Sequence, residues 1–322
     1  MTIMNKAMRI AGLALALLLA PLTARAEGLQ PLVSAEWLHA NLEREGLVVL
    51  DIRNAIDGGT RATFEDGHVP GAVYSSYTAD GWRVKRGEVP GMLPPVADLE
   101  RLIGGLGIDA GTDVVIVPAG VGSTDFGSAT RVYWTFKVLG HDRVAILNGG
   151  HRAWVEAGYE LEQGWNAPGT ATFEAEFRPA LVADAGEVEE ARHAGVQLVD
   201  NRPRKQFVGE GKHPAARAAG TIPGAQNLEQ QRLTRDRTAF VVDRATLDTL
   251  LQQAEIENGG KTITFCNTGH WASIGWFVLS ELAGYEKVAM YDGSMTDWTQ
   301  EDNRPLQTGR RGLGRIIDFL SG

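Results

Sequence analysis

The residue with the clearest chemical potential is Cys266, the one cysteine in the 322-residue chain. It directly follows the apolar run Thr-Ile-Thr-Phe at 262–265 and opens the loop Cys-Asn-Thr-Gly-His-Trp at 266–271, which leads into a helical stretch. A strand that turns through a short loop into a helix directs backbone N–H groups and the positive end of the helix toward the loop. Both features stabilise a thiolate or persulfide, so Cys266 is the candidate nucleophile.

A structural role for Cys266 is the alternative, because unpaired cysteines are among the most frequently buried residues. A single cysteine also excludes an intramolecular disulfide. The position after a strand favours the reactive interpretation, since parallel sheets bind ligands beyond the carboxyl ends of their strands. Gly269 supplies the backbone freedom that a tight loop needs.

An internal repeat indicates which elements hold this loop. Four segments of the first half recur in the same order in the second half, about 150 residues later. Two of the pairs carry clear motifs, an apolar strand ending in Asp-x-Arg and a Gly-x-x-Pro-Gly-Ala turn. The matched segments are 48–53 with 196–202, 67–72 with 220–225, 114–117 with 262–265, and 147–154 with 291–298. Such a series predicts a tandem duplication.

Short β-branched runs alternate in each repeat with longer amphipathic stretches such as 129–139 and 273–282. This alternation predicts an α/β protein with two tandem three-layer domains, each with a mainly parallel sheet flanked by helices. We expect a signal peptide at 1–26, a first domain at 27–162, a linker at 163–182 and a second domain at 183–322. The linker is predicted from Gly and Pro residues without periodicity.

The N-terminus has the pattern of a secretory signal peptide. Lys6 and Arg9 precede an apolar segment at 10–22, and Ala-Arg-Ala at 24–26 offers a cleavage site. An uncleaved anchor is the alternative, but Pro21 interrupts the apolar segment, which is short for a membrane span. We therefore expect a periplasmic protein that begins at Glu27 and has no integral membrane association after cleavage.

Composition narrows the function classes. Hydrophobic residues make up 43% and charged residues 22% of the chain, and the mean hydropathy is -0.15, which excludes a polytopic membrane protein and a mostly disordered chain. The formal net charge of -9 argues against a nucleic-acid partner. The spacings of the seven histidines and of Cys266 match no common zinc pattern, so we expect no metal site.

Together, these motifs resemble the tandem rhodanese domains of thiosulfate and 3-mercaptopyruvate sulfurtransferases. The resemblance implies a catalytic second domain and a non-catalytic first domain, where Pro118 stands at the position of Cys266. It also implies that Cys266 takes sulfur from a small donor, carries it as a persulfide, and passes it to a thiophilic acceptor such as cyanide or a thiol. The loop N–H groups would hold the persulfide, and the implied reaction requires no metal or organic cofactor.

The cysteine loop differs from both loop types of the family. Thiosulfate-type loops resemble Cys-Arg-Lys-Gly-Val-Thr, and mercaptopyruvate-type loops resemble Cys-Gly-Ser-Gly-Val-Thr. Gln206 also stands where the two-domain enzymes usually have a substrate-binding arginine. We expect replacement cations at His270, which could titrate near neutral pH, and at Lys205 and Arg204, with Trp271 as an apolar wall. Solvated or packing side chains are the alternative for each. The predicted substrate-binding residues are Asn267, Thr268, Gly269, His270, Trp271, Lys205 and Arg204.

The leading hypothesis is an exported sulfurtransferase that uses thiosulfate or 3-mercaptopyruvate. A second hypothesis is a persulfide carrier fed by a thiol-carrying protein, with poor turnover of small donors, and a third is a purely structural duplicated domain. The sequence does not decide the physiological donor and acceptor, the reductant of Cys266, the roles of His270 and Gln206, or the oligomeric state.

Overall fold

A computed structural model describes residues 29–309 of the chain. The predicted signal peptide at 1–26 lies outside the described residues, as does the segment 310–322 at the end of the predicted second domain. Within 29–309, no helix combines the length and the apolar character that crossing a membrane would require.

The first repeat forms a five-stranded parallel sheet with helices around it. Its strands run in the order β1-β7-β6-β2-β3, and an antiparallel hairpin, β4 and β5, projects from this domain. The strands are β1 (Leu32–Val33), β2 (Leu47–Asp51), β3 (Val73–Tyr74), β4 (Val84–Arg86), β5 (Val89–Met92), β6 (Asp113–Val117) and β7 (Val144–Leu147). The helices are α1 (Ala35–Asn41), α2 (Arg61–Asp66), α3 (Val96–Gly104), α4 (Ser123–Val138) and α5 (Gly150–Glu156).

The second repeat forms a second five-stranded parallel sheet, in the order β8-β12-β11-β9-β10. Its strands are β8 (Val182–Ala183), β9 (Gln197–Asp200), β10 (Gln226–Asn227), β11 (Thr262–Phe265) and β12 (Val288–Tyr291). Its helices are α6 (Ala185–His193), α7 (Arg204–Phe207), α8 (Arg244–Gln253), α9 (Ala272–Phe277) and α10 (Ser294–Trp298). Equivalent strands occupy equivalent places in the two sheets, which confirms the predicted pair of parallel α/β domains.

The predicted helical stretches differ in regularity. The stretch 129–139 lies in α4, whereas the stretch 273–282 begins in α9 and continues as a π-helical turn, Val278–Leu282. Nearly all side chains of α4 from Asp125 onward are buried. A helix buried on most sides needs no single apolar face, and α4 is buried because it lies between the two domains.

The two repeated motifs form the same connection in each domain. Arg53 pairs with Asp51 at 2.8 Å and donates to the carbonyl of Gly67 at 2.9 Å. In the second domain, Arg202 pairs with Asp200 at 2.6 Å and donates to the carbonyl of Gly220 at 2.8 Å. Each arginine therefore ties the end of a central strand to the Gly-x-x-Pro-Gly-Ala turn that leads into the next strand.

The two domains share one hydrophobic core where α4 packs against α9. The hydroxyls of Thr130 and Ser273 lie 2.8 Å apart across this contact. Phe277 is fully buried, and its ring packs edge-on against the rings of Phe126 and Tyr133 of the first domain. A contact of this kind fixes the orientation of the domains as firmly as a domain interior fixes its own elements.

Residues 163–182, the predicted linker, run back over the first domain. Their N–H groups donate to the carbonyls of Gly104, Leu139 and Val138, and Phe173 enters the shared core. One 3-10 turn, Pro179–Leu181, precedes β8.

Replacing Phe277 with alanine should destabilise the protein by about 3–5 kcal/mol, because it leaves a cavity in the core that both domains share. Chemical denaturation followed by tryptophan fluorescence measures this change. Phe177, which is 43% exposed, provides the matched control, and its replacement with alanine should change the free energy of unfolding by no more than about 0.5 kcal/mol. Equal effects of the two replacements would contradict a shared, tightly packed interface.

Candidate active site

Cys266 lies at the carboxyl end of β11, the middle strand of the second sheet, and its loop joins this strand to α9. Its side chain is a free thiol with only 1% of its surface exposed. The loop ends at the N-terminus of α9, as the sequence predicts for residues 266–271. The cysteine is therefore held at the edge of the sheet where parallel α/β domains place their chemistry.

Ser294, at the start of α10, fixes the shape of the loop. Its Oγ accepts hydrogen bonds from the N–H groups of Cys266 at 3.0 Å and Gly269 at 3.2 Å, and it donates to the carbonyl of Tyr291. Its φ is +51°, in the left-handed region that disfavours non-glycine residues. Gly150, its counterpart in the first repeat, has φ +61°. The second repeat therefore keeps a strained serine where the first has glycine, because the hydroxyl holds the loop.

Gly269 is required by its surroundings. Its φ is +73°, and a Cβ at this position would lie 2.7 Å from the carbonyl oxygen of Asp292 and closer still to the guanidinium of Arg131. Any larger residue would push the loop away from these groups. The predicted importance of Gly269 for the backbone of the loop therefore has a steric cause.

Four backbone N–H groups of the loop, those of Asn267, Thr268, His270 and Trp271, donate to no protein acceptor within residues 29–309. The N–H groups of Cys266 and Gly269 are used by Ser294. Free N–H groups beside a thiol form an anion-binding concavity. The loop therefore offers donors that an anion could use. Separately, no metal-binding group of side chains is found in the described part of the chain.

Asn267 connects the loop to Gln206. Its Nδ2 donates to Gln206 Oε1 at 2.9 Å, whereas its Oδ1 is buried without a hydrogen-bond partner. Gln206, which replaces an arginine of the family pattern, thus contacts the loop through a neutral amide. No charge is brought to the cysteine from this position.

His270 is buried between the two domains. Its Nε2 lies 2.7 Å from the carbonyl oxygen of Thr124 and its Nδ1 lies 2.9 Å from the hydroxyl of Tyr77. A carbonyl oxygen only accepts, so Nε2 carries the proton and Nδ1 accepts from Tyr77. Burial, with the nearby charge of Arg83, lowers the pKa of His270 to about 3. The expectation that His270 titrates near neutral pH and supplies a cation is therefore wrong, because its ring is desolvated.

Arg204 and Lys205 are exposed on α7 and lie away from the loop. Both line a surface pocket of about 680 Å³ with Val208, Gly209 and Thr308, and no residue of 266–271 lines it. The structure does not bring these two predicted cations together with Cys266. The residue of α7 that forms a hydrogen bond with the loop is Gln206.

Trp271 and Thr268 lie at the domain boundary. Trp271 is partly buried against the shared core, and its Nε1 donates to Thr124 Oγ1 at 3.3 Å. The carbonyl of Thr268 accepts a hydrogen bond from Arg83 of the first domain at 2.7 Å. The position of Trp271 suits an apolar wall, while its contact with a donor stays a prediction.

The first domain supplies site residues that the sequence analysis missed. Arg131 is fully buried, pairs with Asp292 at 2.5 Å, and donates to the carbonyl of Gly269 at 3.3 Å. Asp292 also accepts from the N–H of Leu93 at 2.6 Å. Arg83 contacts the carbonyl of Thr268, as described above. Asp292 of the second domain lies in the repeated segment 291–298, so the duplication could have drawn attention to it. Arg83 and Arg131 lie in no repeated segment.

The loop of the first repeat is closed around a carboxylate of its own chain. Asp125 accepts hydrogen bonds of 2.5 to 3.0 Å from the N–H groups of Ala119, Gly120 and Val121. Its side chain therefore occupies the place in which a cysteine loop would hold an anion. Burial and the neighbouring charge of Asp57 raise the pKa of Asp125 to about 7.

Comparisons with known proteins agree with this architecture. The family model described as a rhodanese-like domain matches residues 34–157 and again residues 184–301. A putative thiosulfate sulfurtransferase of Haloferax volcanii is 31% identical over 298 residues, which cover 86% of this chain and 96% of the relative. A mitochondrial thiosulfate/3-mercaptopyruvate sulfurtransferase of Arabidopsis thaliana is 29% identical over 307 residues, which cover 87% of this chain and 78% of the relative.

A solved structure has the same fold. The crystal structure of SseA from Escherichia coli, described among 3-mercaptopyruvate sulfotransferases, superimposes with a TM-score of 0.72 at 26% sequence identity. The match covers 83% of this chain and 99% of SseA. The resemblance predicted from the sequence motifs is confirmed.

Replacing Ser294 should destabilise the folded protein, and the loss should be smaller for a residue that tolerates a positive φ. Ser294→Ala removes the acceptor of two N–H groups and should cost about 1–3 kcal/mol. Ser294→Gly removes the same acceptor but relieves the left-handed strain, so it should be more stable than the alanine variant by about 1 kcal/mol. Thermal unfolding of the three proteins measures both differences. An alanine variant at least as stable as the glycine variant would argue against the strained backbone.

Asp125→Asn should change how stability depends on pH. The pKa of Asp125 in the folded protein, about 7, lies above its ordinary value of 3.8, so its stabilising contribution is complete below pH 4 and is lost as pH rises through 7. The wild type should therefore lose on the order of 2 kcal/mol relative to the variant between pH 5 and pH 8. Denaturation curves at a series of pH values test this.

The matched control for Asp125 is Asp236→Asn, because the side chain of Asp236 is 95% exposed. Its stability curve should run parallel to that of the wild type. Parallel curves for Asp125→Asn as well would show that the buried carboxyl does not titrate in this range.

Proposed function

The chain belongs to the rhodanese family of sulfurtransferases, and we propose that it moves a sulfane sulfur from thiosulfate or 3-mercaptopyruvate to a thiophilic acceptor through a persulfide on Cys266. The observation that carries this proposal is the loop itself. It holds one thiol at the carboxyl end of a central strand, beside four backbone N–H groups without a protein acceptor. That arrangement suits a sulfur nucleophile that must alternate between two anionic forms.

In the first half of the reaction, the Cys266 thiolate attacks the outer sulfur of the donor. A new S–S bond forms on Cys266. In thiosulfate the S–S bond breaks, and sulfite leaves with its electron pair; in 3-mercaptopyruvate the C–S bond breaks, and the carbon takes the pair and a proton to give pyruvate. The outer sulfur of thiosulfate is already at the sulfane level. The thiol sulfur of 3-mercaptopyruvate is oxidised by two electrons as the carbon that carried it is reduced to the methyl group of pyruvate, so neither donor requires an outside oxidant.

The loop stabilises the persulfide between the two half-reactions. The N–H groups of Asn267, Thr268, His270 and Trp271 are available to its terminal sulfur, in the manner of an oxyanion hole. Gly269 and Ser294 keep these groups in place. Such preorganised donors cost no reorganisation during the reaction, and they act strongly because the site is shielded from water.

In the second half, an acceptor attacks the outer sulfur of the persulfide. Cyanide forms thiocyanate, or a thiol forms its own persulfide, and the S–S bond to Cys266 breaks with return of the electron pair to the Cys266 thiolate. The enzyme thus returns to its starting state without a cofactor.

The burial of Cys266 favours a small donor over a protein-fed carrier. Only 1% of the cysteine is exposed, and residues of the first domain contact the loop from outside. A compact inorganic or three-carbon donor fits such a space more readily than a cysteine on the surface of another protein. The carrier hypothesis remains the alternative outcome of the test below.

Export to the periplasm is part of the proposal. It is supported by the charges of Lys6 and Arg9, by the apolar segment that follows, and by the cleavage pattern at 24–26. Because the chain holds one cysteine, no disulfide competes with Cys266 for sulfur exchange.

Incubation with thiosulfate or 3-mercaptopyruvate should add the mass of one sulfur to the wild-type protein, and cyanide should remove it. Cys266→Ser, which preserves size and polarity at the same position, should gain no mass and should lose at least about 10³-fold in thiocyanate formation, because the attacking thiolate is gone. Intact mass spectrometry measures the modification. Applied to protein from the periplasmic fraction, it also shows whether the chain begins at Glu27.

Three outcomes would contradict parts of this proposal. A Cys266→Ser variant with full turnover would remove Cys266 from the mechanism. A wild-type protein that gains sulfur only from a persulfidated protein would replace the small-donor function with the carrier function. A full-length N-terminus in the periplasmic fraction would contradict cleavage after Ala26.

A further inference from the structure

Two arginines of the first domain contact the cysteine loop, and only one of them is neutralised. Arg131 pairs with Asp292 at 2.5 Å, and both side chains are buried. Arg83 also donates to the loop, yet within residues 29–309 no carboxylate oxygen lies within 4 Å of its guanidinium nitrogens. The positive charge of Arg83 is therefore not cancelled by a protein group at the site.

The guanidinium of Arg83 is fixed in place by the hairpin from which it comes. Its Nε donates to the carbonyl of Gly91 at 3.1 Å, and its Nη2 donates to the carbonyl of Thr268 at 2.7 Å. Its carbon Cζ lies 5.6 Å from the ring centre of Tyr77. Within residues 29–309, no acceptor is in hydrogen-bonding geometry with Nη1, although the guanidinium also interacts with the hydroxyl of Tyr77. An arginine held in this way keeps free donors for an oxyanion and loses little side-chain entropy on binding one.

The charge of Arg83 also acts on a histidine of the second domain, His213, which follows Lys212 in the chain. Lys212 is exposed and His213 is half-buried. Burial lowers the pKa of His213, and the positive charges of Arg83 and Lys212 lower it further, as nearby cations must. The positive charge of Arg83 is therefore felt by a residue of the second domain, whereas Arg204 and Lys205 line a separate surface pocket.

We propose that Arg83 binds the negatively charged end of the sulfur donor, so that a residue of the first domain selects anionic donors for the cysteine of the second. This inference rests on the proposed sulfur transfer at Cys266. The free Nη1 of Arg83 would contact sulfonate-like or carboxylate oxygens while the outer sulfur of the donor meets Cys266. Doubly charged thiosulfate should depend on Arg83 more strongly than singly charged 3-mercaptopyruvate.

The test compares a charged and a neutral reagent at the same thiol. Iodoacetate and iodoacetamide both alkylate cysteine thiols and differ chiefly in one negative charge. In Arg83→Gln, the rate with iodoacetate should fall about tenfold, whereas the rate with iodoacetamide should change less than about twofold. Arg83→Lys should restore part of the iodoacetate rate, because it keeps the charge but not the fork of donors.

Lys85→Gln is the matched control. Lys85 lies on the same hairpin, and its charge is on the surface beside Glu88. Removing it should leave both alkylation rates unchanged. Added salt should slow the reaction of the wild type with iodoacetate and have a smaller effect on Arg83→Gln, which separates a charge effect from a change in loop shape.

Persulfide formation provides the second readout. Arg83→Gln should raise KM for thiosulfate about tenfold with a smaller change in kcat, and it should raise KM for 3-mercaptopyruvate less. Equal losses with iodoacetate and iodoacetamide would assign Arg83 a purely structural role at Thr268 and overturn the inference, as would unchanged rates with both. If the wild type forms no persulfide while charge selectivity still depends on Arg83, anion recognition stands and the proposed function fails.

Discussion

The site depends on a buried ion pair that crosses the domain boundary. Arg131 and Asp292 lie 2.5 Å apart, with almost no side-chain exposure. Removing two charges from water is costly, so this pair is favourable only when both partners and their hydrogen bonds are in place. Arg131 also bonds to the carbonyl of Gly269, and Asp292 accepts from the N–H of Leu93. A chain in which the domains separate would leave both charges unpaired, so the loop and the closed arrangement of the domains are linked.

The duplication shows how a similar loop can have two different outcomes. In the second repeat, the hydroxyl of Ser294 takes two N–H groups and leaves others free beside Cys266. In the first, Gly150 has no hydroxyl, and the Asp125 carboxylate takes three N–H groups of the loop after Pro118. A carboxyl group of the chain itself therefore fills the first loop. The two loops differ in this way although both repeats keep the same sheet order.

The sequence predicts those features that are local or repeated. The two parallel sheets and the Cys266 loop follow from strand patterns and motifs whose residues are neighbours in the chain. Arg83 could not be found in this way, because it lies 185 residues from Thr268 and belongs to no motif. The error at His270 has another cause. Residue type gives the ordinary pKa, whereas the charge state depends on burial against Thr124 and Tyr77, which only the packing of the two domains determines.

The neutral donors and the unpaired positive charge at the site come from different domains. The cysteine loop of the second domain offers neutral backbone donors, which do not by themselves distinguish one anion from another. Its own candidates for specificity, Gln206 and His270, are uncharged. Within residues 29–309, the guanidinium that contacts the loop without a carboxylate partner is Arg83, which directly precedes the hairpin of the first domain. A hairpin can change without disturbing the sheet that holds Cys266, so the proposed anion contact can vary independently of the cysteine loop.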